Sequence, residues 1–257
     1  MMRLRQPVRR AALVGTLVAA LCSAAGCGDD AASGGAETAA GALDWTLAWD
    51  TTGVTTTDAG WSTETALGYT VEVTDGWLVT REVQLVPCPD EDTAARRILR
   101  ALAPVQTAWA GHPDDDRDPS AVYGLAESLA APSDTRLPAA STTGGPYCRA
   151  HYLAARADSD IEDLPTDVDL ERVTLTLAGT WTHPDGSSGS FDVSTSLNTG
   201  TFIELDAEIA AGDGVSLEVV RPLAALVDTI DFATADDDAI SSAVLTALVN
   251  TVGLRVR

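Results

Sequence analysis

The residue types that could do chemistry here are few. The 257-residue chain has three histidines, His112, His151 and His183, and four cysteines, Cys22, Cys27, Cys88 and Cys148. His112 stands in a loop with Asp114, Asp115, Asp116 and Asp118, and His151 follows Cys148 on a segment that alternates in polarity. Imidazoles beside carboxylates suit copper or zinc, so His112 and His151 are the candidate metal ligands, on condition that the fold brings them together. His183 abuts Pro184-Asp185-Gly186 and reads as an exposed turn residue. The aspartates of the His112 loop offer the oxygen that calcium prefers. They lack the Asp-x-Asp-x-Asp-Gly order and trailing glutamate of an EF-hand, so a solvated loop is the simpler reading. No Gly-x-Ser-x-Gly elbow, His-Glu-x-x-His pair or phosphate loop occurs. Gly186-Ser187-Ser188-Gly189 lacks the apolar strand an elbow needs, and carboxylates are too many to single out an acid and a base. The expectation is a protein that is not an enzyme.

The first 27 residues say where such a protein would work. Arg3, Arg5, Arg9 and Arg10 precede an apolar run from Ala11 to Ala25, which is shorter than the roughly 20 residues of a membrane span. A basic start, a short apolar core and small residues before a cut make a secretory signal peptide, over residues 1–26. The run ends Ala24-Ala25-Gly26-Cys27, which resembles the lipobox of bacterial lipoproteins, with Ala24 in the place that is usually leucine. That resemblance implies a diacylglyceryl group on the Cys27 sulfur, cleavage before Cys27 and frequent acylation, such as palmitate, of its new amine. Two or more acyl chains make a stable anchor where one is marginal. The resemblance also implies the outer membrane, because in that family aspartate after the cysteine favours inner-membrane retention and Gly28 stands there here. Residues 27–41 carry no large apolar side chain and read as a flexible tether, leaving 42–257 as the folded, extracytoplasmic domain.

Sixteen arginines, no lysine and 38 acidic residues give a net charge of −22, and loss of the four leader arginines takes it to −26. Such a field repels nucleic acid and anionic lipid and gathers cations. Of the cysteines, Cys88 and Cys148 remain after export and acylation, and two thiols in an oxidising envelope are expected to pair as a disulfide. A soft-metal thiolate site is the competing use.

The elements that must position these residues are mainly strands. Leu43–Trp49, Gly68–Val73, Trp77–Val86, Tyr147–Arg156, Val173–Leu177, Gly189–Thr195, Thr201–Ile209 and Val215–Val220 carry period-two patterning or lie between turn signals. Asp75-Gly76 and Pro184-Asp185-Gly186 are read as hairpin turns, and proline at 87 and 89 ends a strand. On Tyr147–Arg156 the alternation puts Tyr147, Arg149, His151 and Leu153 on one face, with Cys148 and Tyr152 on the other. Short helices are expected near residues 94–102, 121–129 and 223–232. A longer one carries Ile240, Val244, Leu245, Leu248 and Val252, with Asp236, Asp237 and Asp238 at its start and Gly253 as a left-handed stop. The pattern predicts a mainly β fold, an antiparallel β-sandwich with short helical insertions and a C-terminal helix, with a barrel as the alternative.

Three functions compete in this reading, the last a hydrolase, which would need a cleft with convergent carboxylates. The first is a lipid-anchored binding or assembly module for an envelope protein or glycan, predicting an exposed aromatic patch from Trp61, Trp77 or Trp109. The second is a transition-metal (copper or zinc) binding protein using His112 and His151. Export, acidity and sparse histidines resemble, in general character alone, the MbnP-type periplasmic copper-binding partners of di-haem enzymes; no motif matches residue by residue.

Overall fold

One strand organises the fold. The computed structural model describes residues 40–88, 120–142, 146–158, 161, 164–166, 168–210 and 212–257. Thirteen strands appear there: β1 (Gly41–Asp50), β2 (Val54–Thr56), β3 (Trp61–Glu64), β4 (Thr70–Pro87), β5 (Val122–Ser128), β6 (Thr135–Arg136), β7 (Ala140–Thr142), β8 (Tyr147–Ala154), β9 (Leu175–Thr182), β10 (Ser188–Thr195), β11 (Thr199–Ile209), β12 (Val215–Pro222) and β13 (Gly253–Val256). One α-helix, α1 (Asp237–Thr251), and a 3₁₀ turn at Ala224–Leu226 complete the set. The 18-residue β4 pairs with β9 over Thr70–Leu78 and with β8 over Thr80–Pro87, while β3 and β5 share its other edge. β9 and β8 therefore lie end to end, flanked on their far side by β10 and β11, which run in the direction of β4. The junction is at Val79, whose amide donates to Thr174 and whose carbonyl accepts from Ala155. Between those two residues the chain leaves the sheet, and Ala157, Ile161 and Leu170 cover Val79 and Ala126 as a small second core.

The second sheet runs β13-β12-β1-β6, with β7 also on β1. All its pairs are antiparallel except β1 with β12. Leu43, Trp45, Leu47, Leu217 and Val219 face Val71, Val73, Leu85, Tyr152, Leu177 and Val193 of the first sheet across the main core. The fold is thus the mainly β sandwich that the patterning predicts. Helix α1 is capped by Asp236, whose side chain accepts from the Ala239 amide, and it buries Ile240, Val244, Leu245 and Leu248 beside β10, β11 and the 3₁₀ turn.

The structure corrects five local expectations. Asp75-Gly76 is no hairpin turn: the pairing with β9 shifts between Val73 and Asp75, a bulge inside one continuous strand. Partners on both edges hold the backbone extended, and Gly76, at φ 156°, serves the bulge. Residues 121–129 hold β5, not a helix. That strand is buried on both faces, Leu125 in the main core and Ala126 in the second, so its apolar run has no alternation and resembles a buried helix by pattern alone. Gly253 is not a left-handed stop, because Val252 ends the helix in an extended conformation and Gly253 begins β13 opposite Val220. Finally, Tyr147 is buried with Ala150, Tyr152 and Ala154, because the pairing of β8 shifts around Cys148 and moves Tyr147 to the other face. Gly41, assigned above to the tether, is the first residue of β1, where an added Cβ would lie 2.2 Å from the Asp213 carbonyl oxygen. The helix expected at 94–102 lies outside the described residues.

Candidate functional site

The face of β4, β8 and β11 turned away from the core carries the most reactive side chains. Strand pairing puts Gln84, His151 and Phe202 in one cross-strand row. His151 Nδ1 lies 3.1 Å from Oε1 of Glu82, whose side chain is nearly buried. The imidazole packs on the Phe202 ring at a centroid distance of 4.9 Å, and the Arg149 guanidinium lies 5.0 Å from that same ring. Phe202 is nonetheless 55% exposed, on a strand whose one partner among the described residues is β8. A Cβ on Gly200 would stand 3.2 Å from His151 Nε2, so glycine there gives the ring its room. An aromatic face backed by a cation and an imidazole can bind by stacking and by hydrogen bonds from guanidinium.

At the end of β4, Cys88 and Cys148 form the expected disulfide, joining the last residue described after β4 to β8. Glu208 lies beside it. Among the described residues these three are the one His, Cys, Asp or Glu group compact enough to hold an ion, their ligand atoms lying within 4.8 Å of one another. With the sulfurs bonded to each other the group is closed to a metal.

His112, Asp114, Asp115, Asp116, Asp118 and Trp109 lie outside the described residues, as does Cys27. Trp61 is core rather than patch: it is 1% exposed and its indole donates to the Leu129 carbonyl at 2.7 Å. Trp77 packs on the second core. Among the described residues the large exposed aromatic is Phe202, which drew no attention in the sequence because a lone phenylalanine in an alternating strand reads as core.

His183 is less exposed than its turn suggests. The turn itself forms as read, with the His183 carbonyl accepting from Gly186 and the His183 amide donating to Ser187. The ring packs on Tyr69 at 4.9 Å, and its Nδ1 lies 3.1 Å from Asp185. Tyr69 donates to Asp231 at 2.5 Å. Hydrogen bonds from the Ser187 hydroxyl and amide, then from His183, hold Asp185 down to about 2. Bonds from Tyr69 and Thr234 also hold Asp231 below the usual carboxylate range.

The interior holds one further ionic site that sequence reading missed. Arg221 on β12 reaches across the sandwich to Glu127 on β5, with Nη1 and Nη2 donating to the two carboxylate oxygens at 2.5 and 2.8 Å. The pair has side-chain exposures of 0% and 5%. The Trp49 ring lies 4.0 Å from the guanidinium carbon. Burial opposes the arginine charge, and the Glu127 carboxylate outweighs that, so the guanidinium stays protonated beyond its ordinary range. This pair ties the two sheets and offers no access to a substrate. No protein-family model, curated protein or solved structure matches the chain.

Proposed function

We propose that this protein is a lipid-anchored lipoprotein of the cell envelope, held in the outer membrane through Cys27, whose β-sandwich binds an envelope protein or glycan near the bilayer. The observation that carries the binding part is Phe202, half exposed over Arg149 and His151 at the sheet edge. A solvent-facing aromatic kept in place by two polar neighbours is the composition of a contact hot spot. The Cys88–Cys148 disulfide supports an oxidising compartment. Acyl transfer to Cys27 is tested by labelled palmitate and membrane fractionation: Cys27→Ser should abolish incorporation and release the protein, and a wild-type chain without label would refute the anchor. Photo-crosslinking from Phe202 in cells should capture one discrete species that Arg149→Ala diminishes; no adduct at 202 would refute the patch.

A second reading, transition-metal binding through His151 and His112, draws on one feature. A ligating histidine commonly has its other ring nitrogen fixed by a carboxylate, as Glu82 fixes Nδ1 here. Copper or zinc titration that leaves the melting temperature unchanged, in wild type and in His151→Ala alike, would exclude it.

A further inference from the structure

Strand pairing is irregular along both edges of β8 at one place, and that place is Cys148. On β8, Arg149 and Tyr147 face consecutive residues of β4, Val86 and Pro87, so Cys148 is the extra residue of a bulge. Along the other edge, the same two residues face Glu204 and Ile209, so β11 loses its register over 205–208. Bulges of this kind re-aim side chains. Here the distortions bring the Glu208 carboxylate to within 4.8 Å of both sulfurs. A carboxylate beside two thiols disfavours bare thiolates, since all three carry negative charge when ionised. A cation between them reverses that. Cys88 and Cys148 are each partly exposed and Glu208 is exposed, so both a reductant and an ion have access.

We propose that Cys88, Cys148 and Glu208 form a redox-gated site for a thiophilic divalent ion of the zinc type. In the oxidised protein the site is closed. A dithiol reductant transfers two electrons and two protons to the disulfide, leaving as its own disulfide and giving two protein thiols. The ion then displaces both thiol protons and takes two thiolates, one Glu208 oxygen and a water as a tetrahedral set. Zinc–sulfur bonds of about 2.3 Å require the sulfurs roughly 3.8 Å apart, so binding needs the disulfide broken and the two sulfurs drawn away from each other. The surrounding negative field, −22 over the chain, raises the local cation concentration. This site is separate from His151 and does not rest on the lipid anchor.

The test uses the full chain with Cys22→Ser and Cys27→Ser, so that no other thiol competes, and cobalt(II) as the spectroscopic probe. Before reduction no thiolate-to-cobalt charge-transfer band should appear. After reduction with a phosphine, one equivalent of cobalt should give that band with tetrahedral visible absorption, and zinc should bleach both. Glu208→Gln should keep the band but weaken binding about tenfold or more. Cys148→Ser should lose the band. A reduced chain that keeps its β circular dichroism and shows no band overturns the proposal. So do equal affinities before and after reduction, an unchanged affinity in Glu208→Gln, and loss of the β spectrum on reduction.

Discussion

Removing the Glu127 carboxylate while keeping its shape, by Glu127→Gln, leaves the Arg221 charge in the middle of the sandwich without a counter-ion. What remains around Arg221 is dipolar, since its Nε lacks a hydrogen bond among the described residues, its flat face is taken by Trp49, and its other polar neighbour is the Tyr152 hydroxyl. Thr80 and Tyr152, bonded to each other at 3.1 Å, supply dipoles but no charge. Breaking one side of a buried, doubly hydrogen-bonded pair costs about 3–5 kcal/mol. In a domain of this size that is a fall in melting temperature of roughly 6–20 °C. The same reasoning makes a second demand: since the pair's attraction mainly repays the cost of removing two charges from water, Glu127→Leu with Arg221→Met should recover most of the loss. Thermal and urea unfolding of wild type, both single variants and the double variant would give the coupling directly. A Glu127→Gln protein melting within about 2 °C of wild type would mean water reaches the site, and the account of an isolated interior ion pair would be wrong.

Cys88→Ser should lower stability by about 4 kcal/mol by freeing a 60-residue loop in the unfolded chain, read from the urea midpoint; an unchanged midpoint would refute this. Asp236→Ala removes the helix cap on the Ala239 amide and should cost about 1 kcal/mol by the same assay. Gly179→Ala would put a Cβ 2.0 Å from the Glu72 carbonyl oxygen and 2.8 Å from the Phe191 ring, so it should destabilise by about 1–3 kcal/mol or prevent soluble expression. Because Asp185 is depressed to about 2, its contribution to the turn is present above the unfolded value of 3.8 and is lost as pH falls through about 2. Carbon-detected NMR titration should place its midpoint there, and Ser187→Ala should move it upward.

The sequence determined the mainly β class, the C-terminal helix with Asp236, Asp237 and Asp238 at its start, the hairpin at Pro184-Asp185-Gly186 and the pairing of Cys88 with Cys148. Each of these depends on nearby residues, or on there being two thiols left to pair. What it could not determine depends on partners far along the chain. Asp75-Gly76 has the local chemistry of a turn, yet β3, β5 and β9 hold it straight. Residues 122–128 lack alternation because a separate hydrophobic cluster covers each face. Arg221 and Glu127 stand 94 residues apart and meet only because β12 and β5 belong to opposite sheets. Glu208 reaches the disulfide for a similar reason, through irregularities in β8 and β11 that no periodicity encodes. Local preference chose the elements; the packing of two sheets decided which charged and sulfur-bearing side chains share a site.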